Sequence, residues 1–99
     1  MSSVPTSKQC EKVSSILKTL SHPQRLLILC ELVESPLTVS DLEHRCQASQ
    51  SQISQFLSRM KLENLVASSR DGHHVVYSIA DSKILKLVQA MKRIYCRTD

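Results

Sequence analysis

Residues 38–60 read TVSDLEHRCQASQSQISQFLSRM, and two helices meet inside that string. Thr38 stands three residues before Asp41, a spacing at which each side chain reaches the other's backbone N–H and starts a helix. That helix ends near Cys46. Gln47-Ala48-Ser49 leaves room only for a tight connection. Ser49 or Ser51 then caps a longer helix running to about Asn64. Two helices joined by a three- to four-residue turn make the outline of a helix-turn-helix.

The second of these helices has two unlike faces. At 100° per residue, Ile53, Phe56, Leu57 and Met60 gather on one side. Ser51, Ser54, Gln55 and Ser58 gather on the other, with Ser49, Gln50, Gln52, Arg59 and Lys61 alongside. A merely solvated helix face usually carries Glu and Lys. Short Ser side chains let a helix approach DNA closely and bond phosphate oxygens, and Gln pairs bidentately with adenine in the major groove. The unpaired N–H groups of the helix start favour a phosphate too. An exposed Ser/Gln face with no task is the plain alternative; the helix and turn before it favour DNA.

Outward from this core, Val13, Ile16, Leu17 and Leu20 repeat at helical spacing, so a first helix covers about residues 8–20. Ser21 or His22 caps a second helix with Pro23 in its first position, and Leu26, Leu27, Ile28, Leu29, Leu32 and Val33 make it apolar nearly all round. Downstream, Leu65–Ser69 and His74–Ile79 flank Asp71-Gly72, a strong hairpin signal. A hairpin beside a helix-turn-helix is a wing, and Arg70 and His73 at its tip are candidate DNA contacts. Ordinary exposed loop residues are the alternative there. Asp81 caps a last helix bearing Ile84, Leu85, Leu87, Val88, Met91, Ile94 and Tyr95. The fold expected is mainly α with a small β-hairpin wing, in the order α-α-α-α-β-β-α. Residues 1–7 read as a loose terminus and 8–99 as one domain.

Composition narrows the function classes. Ninety-nine residues fit one domain, and 41% hydrophobic residues suffice for its core. The longest apolar run, Leu26–Cys30, is far too short to span a membrane, and no leader opens the chain, so a cytoplasmic protein is expected. With one glycine, Gly72, there is no phosphate-cradling Gly-rich loop, and no nucleophile has a clear base, so an enzyme is not expected. The first fifty residues hold five Lys/Arg against five Asp/Glu, whereas residues 51–99 hold eight against four, so the whole +4 lies in the half with the presumed reading helix and wing. That asymmetry fits a polyanion partner.

The strings Leu20-Ser21-His22-Pro23-Gln24-Arg25-Leu26, Leu37-Thr38-Val39-Ser40-Asp41-Leu42, Ser49–Gln55, and Gly72 followed by Val76-Tyr77-Ser78-Ile79 together resemble the ArsR/SmtB family of small winged-helix repressors, over about residues 10–96. The resemblance implies a homodimer built from the first and last helices, binding a roughly palindromic double-stranded operator. Phe56 stands where many members carry histidine; its place on the apolar face makes this a packing change.

Members of the family respond to metals or oxidants. The third-helix metal site of the family needs cysteine where Thr38 and Ser40 stand. The last-helix site needs ligands where Lys83, Ile94 and Arg97 stand, and these cannot replace them. No metal and no cofactor is therefore expected, though a non-standard site among the cysteines and histidines stays open, as does a regulator independent of its thiols. Of Cys10, Cys30, Cys46 and Cys96, the pair Cys30 and Cys96 matches the two thiols of the BigR/SqrR/HlyU-like branch, through Arg25–Cys30 and Ile94-Tyr95-Cys96. That match implies a redox switch, in which reactive sulfur species or oxidants join the two thiols and release the DNA. Lys92, Arg93 and Arg97 beside Cys96 favour its thiolate while the helix dipole opposes it, and Cys30 lies among Leu and Ile with Glu31 and Glu34 nearby; the order expected is that Cys96 reacts first and Cys30 resolves. Cys46 reads as packing, and Cys10 has no assigned role.

Overall fold

The computed structural model describes residues 3–96. In chain order it runs α1 (Ser7–Leu20), α2 (Pro23–Glu34), β1 (Leu37–Thr38), α3 (Val39–Cys46), α4 (Gln50–Leu62), β2 (Val66–Asp71), β3 (His74–Ile79) and α5 (Ser82–Tyr95). The sequence order of four helices, hairpin and last helix is present as a winged helix-turn-helix. One element is added. The two-residue β1 pairs antiparallel with β3, Leu37 opposite Tyr77 and Thr38 opposite Val76. The sheet therefore has the order β1-β3-β2, with β3 in the middle.

Each helix start is fixed by a side chain. Thr6 and Gln9 form a reciprocal capping box, so α1 already begins at Ser7. His22 caps α2 through Nδ1, which accepts from the Gln24 N–H at 3.1 Å. Thr38 and Asp41 close the box at the head of α3. Gln47, at φ 51, turns the chain out of α3 in the left-handed region. α4 stops at Leu62, earlier than Asn64, which itself sits at φ 61.

The core gathers under this frame. Ile28, Leu29 and Leu32 of α2, Leu42 and Cys46 of α3, Ile53, Leu57 and Met60 of α4, and Ile84 and Val88 of α5 are all buried. Each such side chain contributes about 1.5–3 kcal/mol by leaving water. α2 lies in the middle but is not enclosed on every side, since Leu27 is 39% exposed. Phe56 is half-buried at the core's edge, its ring 5.0 Å from that of His22. Among the described residues, no helix is long and apolar enough to cross a membrane.

The hairpin register differs from the sequence reading by one residue. Asp71 pairs with His74 as the last rung, so the connection is Gly72-His73. Gly72 has φ +65, the left-handed value that a two-residue hairpin with glycine first requires.

Candidate nucleic-acid interface and thiol pair

The buried stripe of Ile53, Leu57 and Met60 fixes the rotation of α4 and turns its polar side outward. Gln50, Ser51, Gln55 and Ser58 stand exposed along this side, and Ser54 is half-buried at its margin. Of the two cap candidates, Ser49 is the one used, and Gln52 completes a capping box with it. Ser49 Oγ accepts from the Gln52 N–H at 3.2 Å, and Gln52 Oε1 accepts from the Ser49 N–H at 3.1 Å. These two residues build the helix start rather than standing free beside it. Gln52 keeps its amide donors for a ligand.

Arg59 also has an internal partner. Its Nε lies 3.1 Å from Glu63 Oε1, while Arg25 of α2 lies 3.6 Å from Glu63 Oε2. Glu63 thus links the end of α4 to α2. Lys61 Nζ donates to Ser68 Oγ at 2.7 Å, which ties the same end to β2. Sequence reasoning missed Arg25 and Ser68, whose partners Glu63 and Lys61 lie on another element, and passed over Glu63, which stands at the helical i,i+4 spacing from Arg59.

Arg70, His73 and His74 are exposed on the wing. Arg70 sits opposite Val75, one rung from the hairpin end of the sheet. His73, His74 and Val75 share an open groove with Thr38–Asp41 at the start of α3. The polar face of α4 and the basic wing tip are both exposed, at the two places a winged helix has for meeting a duplex.

The thiols lie at the opposite concern of the fold, the packing of α2 against α5. Cys30 is half-buried on α2, and Cys96 is the exposed cap residue of α5, its N–H donating to the Lys92 carbonyl at 2.9 Å. Burial pushes the Cys30 thiol up; the charge of Lys92 opposes this, and those of Cys96 and Glu31 add to it. Cys96 therefore lies near enough for its charge to act on the Cys30 thiol. Lys92, expected to serve Cys96, instead points to α2, where it donates to the Cys30 carbonyl at 3.2 Å and to Glu34 Oε1 at 2.7 Å. Arg93 is exposed, and Arg97 lies outside the described residues. Cys46 is buried in the core, which raises its thiol pKa, and Cys10 is exposed on α1. Among the described residues, no three His, Cys, Asp or Glu side chains gather as a metal ion would need.

An apolar surface runs along α1 and α5. Val13, Ile16, Ile84 and Leu87 line a groove between them. Val13 and Leu17 are about half exposed, and Ile94 and Tyr95 are 66% and 83% exposed.

Comparison with known proteins agrees with this architecture. Residues 22–68 match the model of bacterial regulatory proteins of the arsR family. The HTH-type transcriptional regulator YgaV of Escherichia coli K12 is 40% identical over 87% of this chain and 88% of its own length. The biofilm growth-associated repressor of Xylella fastidiosa is 35% identical over 90% of this chain and 78% of its own. Among solved structures, reduced HlyU from Vibrio cholerae superimposes with a TM-score of 0.85 at 30% identity, over 91% of this chain and 95% of that one.

Proposed function

The chain belongs to the arsR family of bacterial regulatory proteins and is a DNA-binding transcriptional regulator of the branch that holds BigR and HlyU; from that premise we propose that it is a homodimeric repressor switched by its own thiols. In the reduced protein, α4 enters the major groove with Gln50, Ser51, Ser54, Gln55 and Ser58 toward base edges and phosphates. Ser49 and Gln52 hold the helix start against a phosphate, and Arg59, Arg70 and His73 meet the backbone or the adjacent minor groove. The apolar surface of α1 and α5 joins two copies, which sets two recognition helices about 34 Å apart, on a palindromic operator. The protein works in the cytoplasm, where the operator is.

The switch is the pair Cys30 and Cys96. Reactive sulfur species or other oxidants attack Cys96, the exposed thiol, and Cys30 resolves the product into a disulfide or polysulfide bridge. What supports this is their placement on the two helices that pack together, α2 and α5, where Lys92, one turn before Cys96, bonds the Cys30 carbonyl. Bridging ties the core helix α2 to the helix that forms the dimer. A changed angle there alters the separation of the two recognition helices, and the fixed operator spacing then lowers affinity. The structure matched from Vibrio cholerae is of HlyU in its reduced form.

Mapping the oxidised protein by mass spectrometry tests the switch. Polysulfide treatment should yield one cross-linked peptide pair containing Cys30 and Cys96, lost in Cys30→Ser and in Cys96→Ser. A bridge through Cys10 or Cys46 would refute the pairing. Operator release by an added divalent metal, unchanged in both serine variants, would replace the thiol switch by a metal response.

A further inference from the structure

Lys92 bridges the α2–α5 seam in a way the DNA-binding reading does not use. Its ammonium touches α2 at two places, the carbonyl of Cys30 and the carboxylate of Glu34. Glu34 lies one helical turn beyond Cys30 on α2, and Cys96 lies one turn beyond Lys92 on α5. The side chain therefore links the two helices that carry the thiols, grown from the helix of Cys96 and bonded to that of Cys30.

We propose that Lys92 is the positioning residue of the thiol switch, holding α2 in register with α5 and supplying the charge that lets Cys30 close the bridge. The proposal rests on the reading of Cys30 and Cys96 as the switch. The charged groups that act on the Cys30 thiol are Lys92 and Cys96 on α5 and Glu31 on its own helix; Glu31 pairs with Arg45 of α3 at 3.3 Å, and Lys92 with Glu34 at 2.7 Å. Burial, Cys96 and Glu31 all oppose the thiolate, and Lys92 is the neighbour that favours it. As a prop for the fold the Lys92–Glu34 pair is weak, because Glu34 is 66% exposed. Its position over the Cys30 carbonyl gives it more weight in the switch than in the fold.

The chemistry needs a thiolate twice. With inorganic polysulfide as oxidant, the Cys96 thiolate attacks a terminal sulfur, one S–S bond of the polysulfide breaks, and a shorter polysulfide leaves with the electron pair. Cys96 is then a persulfide. The Cys30 thiolate attacks Cys96 Sγ, the Sγ–S bond of the persulfide breaks, and hydrosulfide leaves with its proton. The two cysteines are oxidised by two electrons, and one sulfane sulfur is reduced to sulfide. Lys92 acts on the second step by favouring the attacking thiolate and holding its helix in place.

The test separates the two steps in the full-length protein. Sodium tetrasulfide is added, the reaction is quenched by alkylation at intervals, and Cys96 persulfide and Cys30–Cys96 bridge are counted by mass spectrometry from pH 6 to 10. In Lys92→Met, persulfide formation should stay near the wild-type rate. Bridge closure should slow about two- to fivefold at neutral pH, the size of one partly exposed charge interaction, with its pH midpoint moved upward. Lys92→Arg should restore both the rate and the midpoint. Lys92→Gln, which keeps a hydrogen-bond donor without the charge, should repeat the Met result and serves if Lys92→Met does not fold. Closure at the wild-type rate and midpoint in Lys92→Met or Lys92→Gln overturns the proposal. Slower closure with an unmoved midpoint overturns it too, since a merely structural role would do that. If wild-type protein forms no Cys30–Cys96 bridge, the switch itself is refuted and this inference falls with it, an outcome distinct from an indifferent Lys92.

Discussion

Replacing Ser49 by alanine should lower both the stability of the fold and its grip on DNA, and replacing it by aspartate should separate the two. Ser49 Oγ accepts from the Gln52 N–H at 3.2 Å at the head of the recognition helix. Alanine removes that acceptor, at a cost of about 1 kcal/mol and a range of roughly 0.5–2. For a domain of this size each kcal/mol moves Tm by about 4–8 °C, so Ser49→Ala should melt about 4–8 °C below wild type. Aspartate caps as well as serine, and its charge suits the positive end of the helix dipole, so Ser49→Asp should melt near wild type. The same carboxylate would face a DNA phosphate. Ser49→Asp should therefore bind operator more weakly than Ser49→Ala, although it is the more stable of the two. Calorimetry at one protein concentration and fluorescence anisotropy at one salt concentration measure the two quantities. An unchanged Tm in Ser49→Ala with collapsed binding would refute the capping assignment and make Ser49 a direct contact. Wild-type binding by Ser49→Asp would refute the placement of the helix start against a phosphate.

Other outcomes follow from the same geometry. Arg70→Ala should weaken binding evenly across operator variants and reduce the slope of log K against log salt by about one, whereas Gln55→Ala should lose about 1–3 kcal/mol of discrimination at one base pair; salt titrations on operators mutated base by base check both. A charge placed in the apolar surface of α1 and α5, by Leu17→Glu or Ile94→Glu, should convert dimer to monomer in analytical ultracentrifugation while leaving helix content unchanged, and persistence of the dimer in both would move the interface elsewhere. The carboxylates of Glu34, bonded to Lys92, and Asp41, bonded to the Thr38 N–H, are held below their usual pKa. Their stabilisation is full above the unfolded carboxylate pKa and is lost as pH falls through the folded value, so Asp41→Asn should flatten the acid side of a plot of Tm against pH. Cys30 has the opposite sign: its thiol is raised, its contribution is full below the unfolded thiol pKa, and it fades as pH rises through the folded value.

Much of this architecture was legible locally. Asp41 three residues after Thr38 marks a helix start in the sequence, and that box forms; Ser49, one of two cap candidates, forms another with Gln52. The stripe of Ile53, Leu57 and Met60 fixed which face of α4 turns outward, and its burial leaves Gln55 and Ser58 exposed. What was hidden depends on distance in the chain. β1 has two residues, too few to show a strand period, and exists because Leu37 and Thr38 meet Tyr77 and Val76. The hairpin turn slipped by one residue because Asp71 reads equally well as a turn residue or as the last rung opposite His74. Lys92 reads as a neighbour of Cys96 along the chain, yet it bonds Glu34 and the Cys30 carbonyl, 58 and 62 residues away. Gln52 and Arg59 read as DNA contacts from their face, and the side-chain bonds to Ser49 and Glu63 show that the helix also uses them.

The central claim is that thiol oxidation at the α2–α5 seam lowers the affinity of α4 for DNA. Its most direct test is the operator affinity of one preparation, measured reduced, after polysulfide treatment and after re-reduction, alongside Cys30→Ser carried through the same cycle. The account predicts that reduced wild type binds tightly with a steep salt dependence, loses at least about tenfold in affinity on treatment, a coupling of about 1.4 kcal/mol, and recovers on re-reduction, while Cys30→Ser binds alike throughout. Equal affinity of reduced and bridged wild-type protein would contradict it.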